Sequence, residues 1–141
     1  MPGGAVLKSA IGRGAAIRGT RPIVINIDGV AGSEGARAVV RQLIADRALP
    51  DAIIGATSRF AVGAAAALAE ANVDMPGEVL VAALSDSELT RSHRPPITAL
   101  DLHGDAIGRE AIMKLVGLIK GDADMASTQV AATLKVRSST L

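Results

Sequence analysis

Apolar and polar positions follow two rhythms along this chain. From Pro22, the β-branched run Ile23-Val24-Ile25-Asn26-Ile27-Asp28 sits between a proline and a glycine. That pattern predicts a buried parallel strand. Gly29 to Gly32 forms the turn, and Ser33 with Glu34 suits a helix start. Ala36, Val39, Val40, Leu43 and Ile44 then recur at the spacing of a helix lying on a sheet, closed by Asp46-Arg47 and Pro50. Ala52 to Ala56 predicts a second strand, Ser58 to about Ala71 an alanine-rich helix ended by Asn72 and Pro76, and Val79 to Leu84 a third strand. Strand and helix alternating in this way predict a parallel α/β layer.

Beyond Ser85 the alternation breaks. A polar connection through Arg91-Ser92-His93-Arg94 leads to Pro95-Pro96 and a strand near Ile97 to Leu102. A helix follows from Asp105 to about Lys120, with Ile107, Ala111, Leu115 and Leu118 on one face. After a loop, a last strand is expected at about Val130 to Val136. Residues 1–21 read as a flexible Gly/Arg-rich leader without acids, or as a basic arm; they hold no helix-turn-helix.

Composition narrows the function. About half of the 141 residues are apolar, which excludes a disordered chain, and Phe60 is the only aromatic. A stacking platform for bases or sugars is therefore nearly absent. The net charge of +1 argues against a chain living on phosphate contacts. With no cysteine, disulfides, thiolate metal sites and cysteine nucleophiles are all excluded. Two lone histidines offer no metal site and no cofactor is implied. No apolar run reaches the roughly 20 residues of a membrane span, and no secretory leader is recognisable, so a cytoplasmic protein is expected. Gly29-x-x-Gly32-x-x-Gly35 departs from both the dinucleotide and the P-loop patterns. No nucleophile is placed with a base, so no enzyme is expected; the glycines read as tight turn geometry.

Ordered short strings give a sharper reading. Pro50-Asp51-Ala52-Ile53-Ile54, Ala61-Val62-Gly63-Ala64, Met75-Pro76-Gly77-Glu78-Val79, Asp86, Pro95-Pro96-Ile97-Thr98, Ile107-Gly108-Arg109-Glu110-Ala111 and Val136-Arg137-Ser138-Ser139-Thr140 follow one another. In this order and spacing the chain resembles the C-terminal part of LacI/GalR transcription regulators and their periplasmic sugar-binding relatives. Gly32-Ser33-Glu34-Gly35 extends the resemblance back to about Pro22. The resemblance implies a periplasmic-binding-protein-like α/β fold with an effector clamped between two lobes. Residues 22–141 would be a partial effector-binding and dimerisation domain. Within it, residues 22–86 and 129–137 would form the C-terminal lobe, and 95–120 a returning piece of the N-terminal lobe. DNA would be met only through a head with no counterpart here. A fragment of a periplasmic sugar-binding protein is the alternative, as is a dimerisation module that has lost its effector.

The resemblance also marks the effector positions. Thr57-Ser58 stands where the family usually has Asn-Asp, and Ser85-Asp86 where it usually has two aspartates. Val30 falls about where some members carry a stacking aromatic, and Leu102 where a glutamine reaches the cleft. A carboxylate grips two sugar hydroxyls with charge-assisted bonds, whereas serine offers one neutral contact. These exchanges imply an altered site, with a sugar-like ligand changed or lost. Read as ordinary residues, Thr57 and Ser58 cap a helix and Asp86 serves a turn. Homodimerisation would use the helix carrying Ala61, Val62, Ala65, Ala66 and Ala69, unless these alanines face the sheet. The apolar face at 105–120 is expected to fold back on the rest of the chain or to meet a partner.

Overall fold

The computed structural model describes Gly19, residues 22–121 and residues 126–141. Apart from Gly19, the expected leader at 1–21 lies outside the described residues. The elements are α1 (Gly32–Ala45), β1 (Ala52–Gly55), α2 (Ser58–Glu70), β2 (Leu80–Ala83), α3 (Glu88–Ser92), β3 (Thr98–Asp101), α4 (Gly104–Lys120) and β4 (Thr133–Lys135). Short 3-10 turns occur at Gly29–Ala31 and Ser138–Thr140. The four strands form one sheet in the order β1-β2-β3-β4. β1, β2 and β3 run parallel, and β4 is antiparallel to β3.

In the parallel register Ile53 pairs with Val81 and Gly55 with Ala83, so these positions share a face. That face meets α2. Val81, Ala83, Ala61, Ala64, Ala67 and Leu68 are buried there, with Ile97 just before β3 and Ala99 within it. Alanines let α2 sit close to the strands, so a core built of small aliphatic side chains still closes. The opposite face carries Ile54 and Leu80, 53 % and 39 % exposed. α1 packs on α2 in turn. A Cβ at Gly63 would run into the carbonyl oxygen of Ser33, so only glycine permits that approach. Glu70 on α2 receives both Arg37 and Arg41 from α1. Gly32, at a φ of 53°, turns the chain into α1.

The expected first strand does not form. Residues 22–28 have no ladder, and Ile23 is 82 % exposed. β-Branched residues favour extended backbone, but a strand also needs a neighbour, and among the described residues β1 pairs only with β2. The polar connection contains a short helix, α3, that the apolar pattern gave no reason to expect. Ser87 caps it through a capping box with Thr90. The last strand is shorter than expected, with Thr133–Lys135 alone in a ladder. α4 does not fold back on the sheet: none of its residues is buried, and Ile107, Leu115 and Leu118 are 47 %, 57 % and 53 % exposed. No helix of the described residues is long and apolar enough to cross a membrane.

Candidate functional site

Parallel strands end together, so the loops after β1, β2 and β3 open on the same edge of the sheet. After β1, Thr57 caps α2, its hydroxyl oxygen accepting the Phe60 N–H at 3.3 Å. Ser58 is buried, and its N–H donates to the Ser85 hydroxyl oxygen at 3.0 Å. The structure thus brings Thr57, Ser58 and Ser85 together across the β1–α2 turn and the end of β2. Val30 and Leu102 do not join this hydrogen-bonded group. Val30 stands in the first 3-10 turn, 94 % exposed, and Leu102 follows β3 at 45 %.

Asp86 has a different environment from its neighbours. Its N–H donates to the Leu100 carbonyl at 2.9 Å, tying the end of β2 to β3. Arg137 grips the carboxylate with both terminal nitrogens, Nη1 on Oδ1 and Nη2 on Oδ2, each at 2.9 Å. The Thr90 hydroxyl adds 2.6 Å to Oδ1, and Arg91 Nη1 adds 3.0 Å to Oδ2. The Asp86 side chain is 6 % exposed. The Arg137 hydrogen bonds hold its carboxyl well below the usual carboxylate range; burial opposes them, and the Thr90 bond and the Arg137 and Arg91 charges add to them. Four donors on two oxygens leave this carboxylate little capacity for a ligand.

Arg137 is held from the backbone too. Its Nη1 reaches the Ile97 carbonyl at 2.6 Å, and its N–H meets the Thr98 hydroxyl at 2.8 Å. Buried Ser139 accepts the Thr98 N–H at 2.8 Å and donates to the Val81 carbonyl at 2.6 Å. The C-terminal tail therefore stitches β2 to β3. Arg137, Thr90 and Arg91 are partners that sequence reasoning missed. Arg137 lies 51 positions from Asp86, and no local pattern joins them.

Beside this clasp, the end of β3 and the start of α4 border a cleft of about 500 Å³. Asp86, Arg91, Asp101, His103, Gly104, Asp105, Ala106 and Arg109 line it. The His103 N–H donates to Asp101 Oδ1 at 2.9 Å, which lowers the Asp101 pKa from its ordinary value. The His103 ring meets the Thr133 hydroxyl at 2.8 Å, linking the start of α4 to β4. Among the described residues no three His, Cys, Asp or Glu side chains gather as a metal site.

The helix expected at a dimer interface is partly consumed by the monomer. Ala61 and Ala65 are fully buried in this chain's own core, so they offer nothing to a partner. Val62 and Ala66 are half-buried and Ala69 is exposed. Leu89, on the adjoining α3, is 48 % exposed.

The sequence matches the periplasmic binding protein-like domain family over residues 7–140. It is 32 % identical over 81 residues to the lactose operon repressor of Rhizobium radiobacter, covering 57 % of this chain and 72 % of that protein. A LacI family transcriptional regulator from Bifidobacterium animalis subsp. lactis superposes with a TM-score of 0.88 at 23 % identity, over 96 % of this chain and 49 % of that one. The lac repressor dimer bound to operator and the anti-inducer ONPF gives 0.72 at 22 %, over 78 % of this chain and 33 % of that one. The chain thus spans half or less of these solved relatives, and at such identities they show the fold.

Proposed function

The chain belongs to the LacI/GalR family as a periplasmic binding protein-like effector-binding domain, and we propose that it serves as the ligand-sensing and dimer-forming portion of a transcription repressor with an altered effector site. The single observation carrying the reading is the convergence of Thr57, Ser58 and Ser85 at the ends of β1 and β2. Open α/β sheets take ligands at this edge. The ligand is a small molecule of the sugar class or a relative of it. Neutral hydroxyls stand at these positions, and the one buried carboxylate nearby is already taken by Arg137. A sugar held by paired aspartates is therefore not its ligand.

Residues 22–86 and 129–137 act as the C-terminal lobe, and 95–120 as the piece returning to the other lobe. The exposed apolar face of α4 supports this division, because a helix with no buried residue needs a surface elsewhere. Pairing of two copies uses Val62, Ala66 and Ala69 of α2, with Leu89 of α3 beside them. DNA is read only by a part of the protein outside this chain, and the protein works in the cytoplasm.

Sedimentation velocity at tens of micromolar, with and without Val62→Arg, tests the pairing. A dimer that the arginine converts to monomer is the expected result; a strict monomer refutes it. A thermal-shift panel of sugars and sugar acids tests sensing, where a saturable rise in Tm is expected. One specific observation favours a second reading, a dimerisation module without an effector. The Ser85 oxygen already accepts a hydrogen bond within the chain, and Asp86 is satisfied. A dimer whose Tm no panel member moves would establish that reading instead.

A further inference from the structure

The apolar pattern of α4 pointed to Ile107, Ala111, Leu115 and Leu118, but the fold turns a different stripe outward. Glu110, Lys114 and Gly117 are half-buried toward the helix's own chain, and Glu110 and Lys114 border the segment Ala126 to Val130. Ile112, Leu115, Val116 and Ile119 lie on the opposite side by helical spacing, with Ile112 at 64 % and Ile119 at 78 % exposed. We infer that this stripe pairs with the same stripe of a second copy of the chain, the two α4 helices crossing antiparallel. The inference goes beyond the sensing reading and uses a different helix from its α2 pairing. The flank carrying Ile107 and Leu118 is left to the other lobe, so the two surfaces do not compete.

The charges at the ends of α4 select the occupant. Asp105 in the first turn and Lys120 in the last flank the outward stripe. Neither enters an ion pair among the described residues. With a twofold axis near Ile112 and Met113, Asp105 of each copy meets Lys120 of the other. Each helix N-terminus then lies beside the other's C-terminus, so the dipoles also attract. A parallel pair would set Asp105 against Asp105 and Lys120 against Lys120. The stripe is therefore complementary to itself in the antiparallel sense, as a twofold pair requires.

A helix of 17 residues is about 25 Å long. One such crossing buries less than the roughly 1,200 Å² of a stable interface, so the pair is weak, with a Kd of about 0.1–1 mM.

Sedimentation velocity of the whole chain carrying Val62→Arg, which removes the α2 pairing, tests the inference. It should be monomeric at tens of micromolar and at least half dimeric by about 1 mM. Adding Ile112→Arg should keep it monomeric throughout, Lys120→Glu should weaken pairing about threefold, and Leu118→Gln should leave it unchanged. Circular dichroism checks that each variant is folded. The chain has no cysteine, so single cysteines report the register. Two copies of Ile112→Cys meet at the axis and should join under a mild oxidant. Two copies of Ile119→Cys would stand about 20 Å apart along the helices and should join at least about tenfold more slowly. Equal cross-linking at both positions, or association that Ile112→Arg does not weaken, overturns the inference. A Val62→Arg chain that stays monomeric at about 1 mM overturns it too and leaves the α2 pairing intact. A Val62→Arg chain already dimeric at tens of micromolar, and made monomeric by Ile112→Arg, upholds the α4 pair and refutes the α2 interface instead.

Discussion

Removing the Asp86 carboxylate should cost far more than removing an ordinary turn residue. In Asp86→Ala, Arg137 keeps the Ile97 carbonyl but loses both carboxylate contacts while 17 % exposed. Breaking a buried pair by deleting one partner costs about 3–5 kcal/mol. Arg137→Ala should cost less, because Asp86 retains the Thr90 hydroxyl and Arg91. The double variant leaves neither charge stranded, so its cost should fall short of the sum by about 1–3 kcal/mol. Against a domain stability of about 5–15 kcal/mol these are large fractions. The chain has neither tryptophan nor tyrosine. Urea unfolding is therefore followed by circular dichroism at the helix band, with midpoints compared at constant m. A coupling below about 0.5 kcal/mol, or an Asp86→Ala variant no less stable than Arg137→Ala, would refute the reasoning.

The same pair sets an acid limit. The folded pKa of Asp86 lies below its unfolded value, so its contribution is complete above about pH 4 and is lost as pH falls further toward the folded pKa. Wild type should lose stability below pH 4 more steeply than Asp86→Asn, measured by urea midpoints across pH; parallel curves would count against it. Gly63→Ala should destabilise by about 1–3 kcal/mol, because its methyl meets the Ser33 backbone where α1 crosses α2; an unchanged midpoint would show that the helices move apart freely. Leu118→Gln on α4 should change stability by no more than about 0.5 kcal/mol, because that side chain is 53 % exposed. A loss above about 2 kcal/mol would show that the face is covered in solution.

Much of the architecture was legible in the chain's own pattern. The spacing of Ala36, Val40 and Ile44 located α1, Thr57 with an alanine run located α2, and Ile53 and Val81 marked the central strands. These signals are local, because helix and strand periods place each residue's face within a few positions. The ordered strings from Pro50 to Thr140 carried the family as well, and the match over residues 7–140 agrees with them.

Other features were decided only by the tertiary structure. Ile23–Asp28 has the composition of a strand, yet pairing requires a neighbour that a run of residues cannot supply for itself. Ala61 and Ala65 are indistinguishable in sequence from Ala66 and Ala69, and only the rotation of α2 over β1 and β2 buries the first two. The role of Asp86 was the least readable. It looked like a ligand contact or a turn residue, and it became the anchor of Arg137 because the chain returns beside its own third strand 51 positions later. The energy of a buried ion pair depends on burial and distance, and neither quantity exists until the chain has closed on itself.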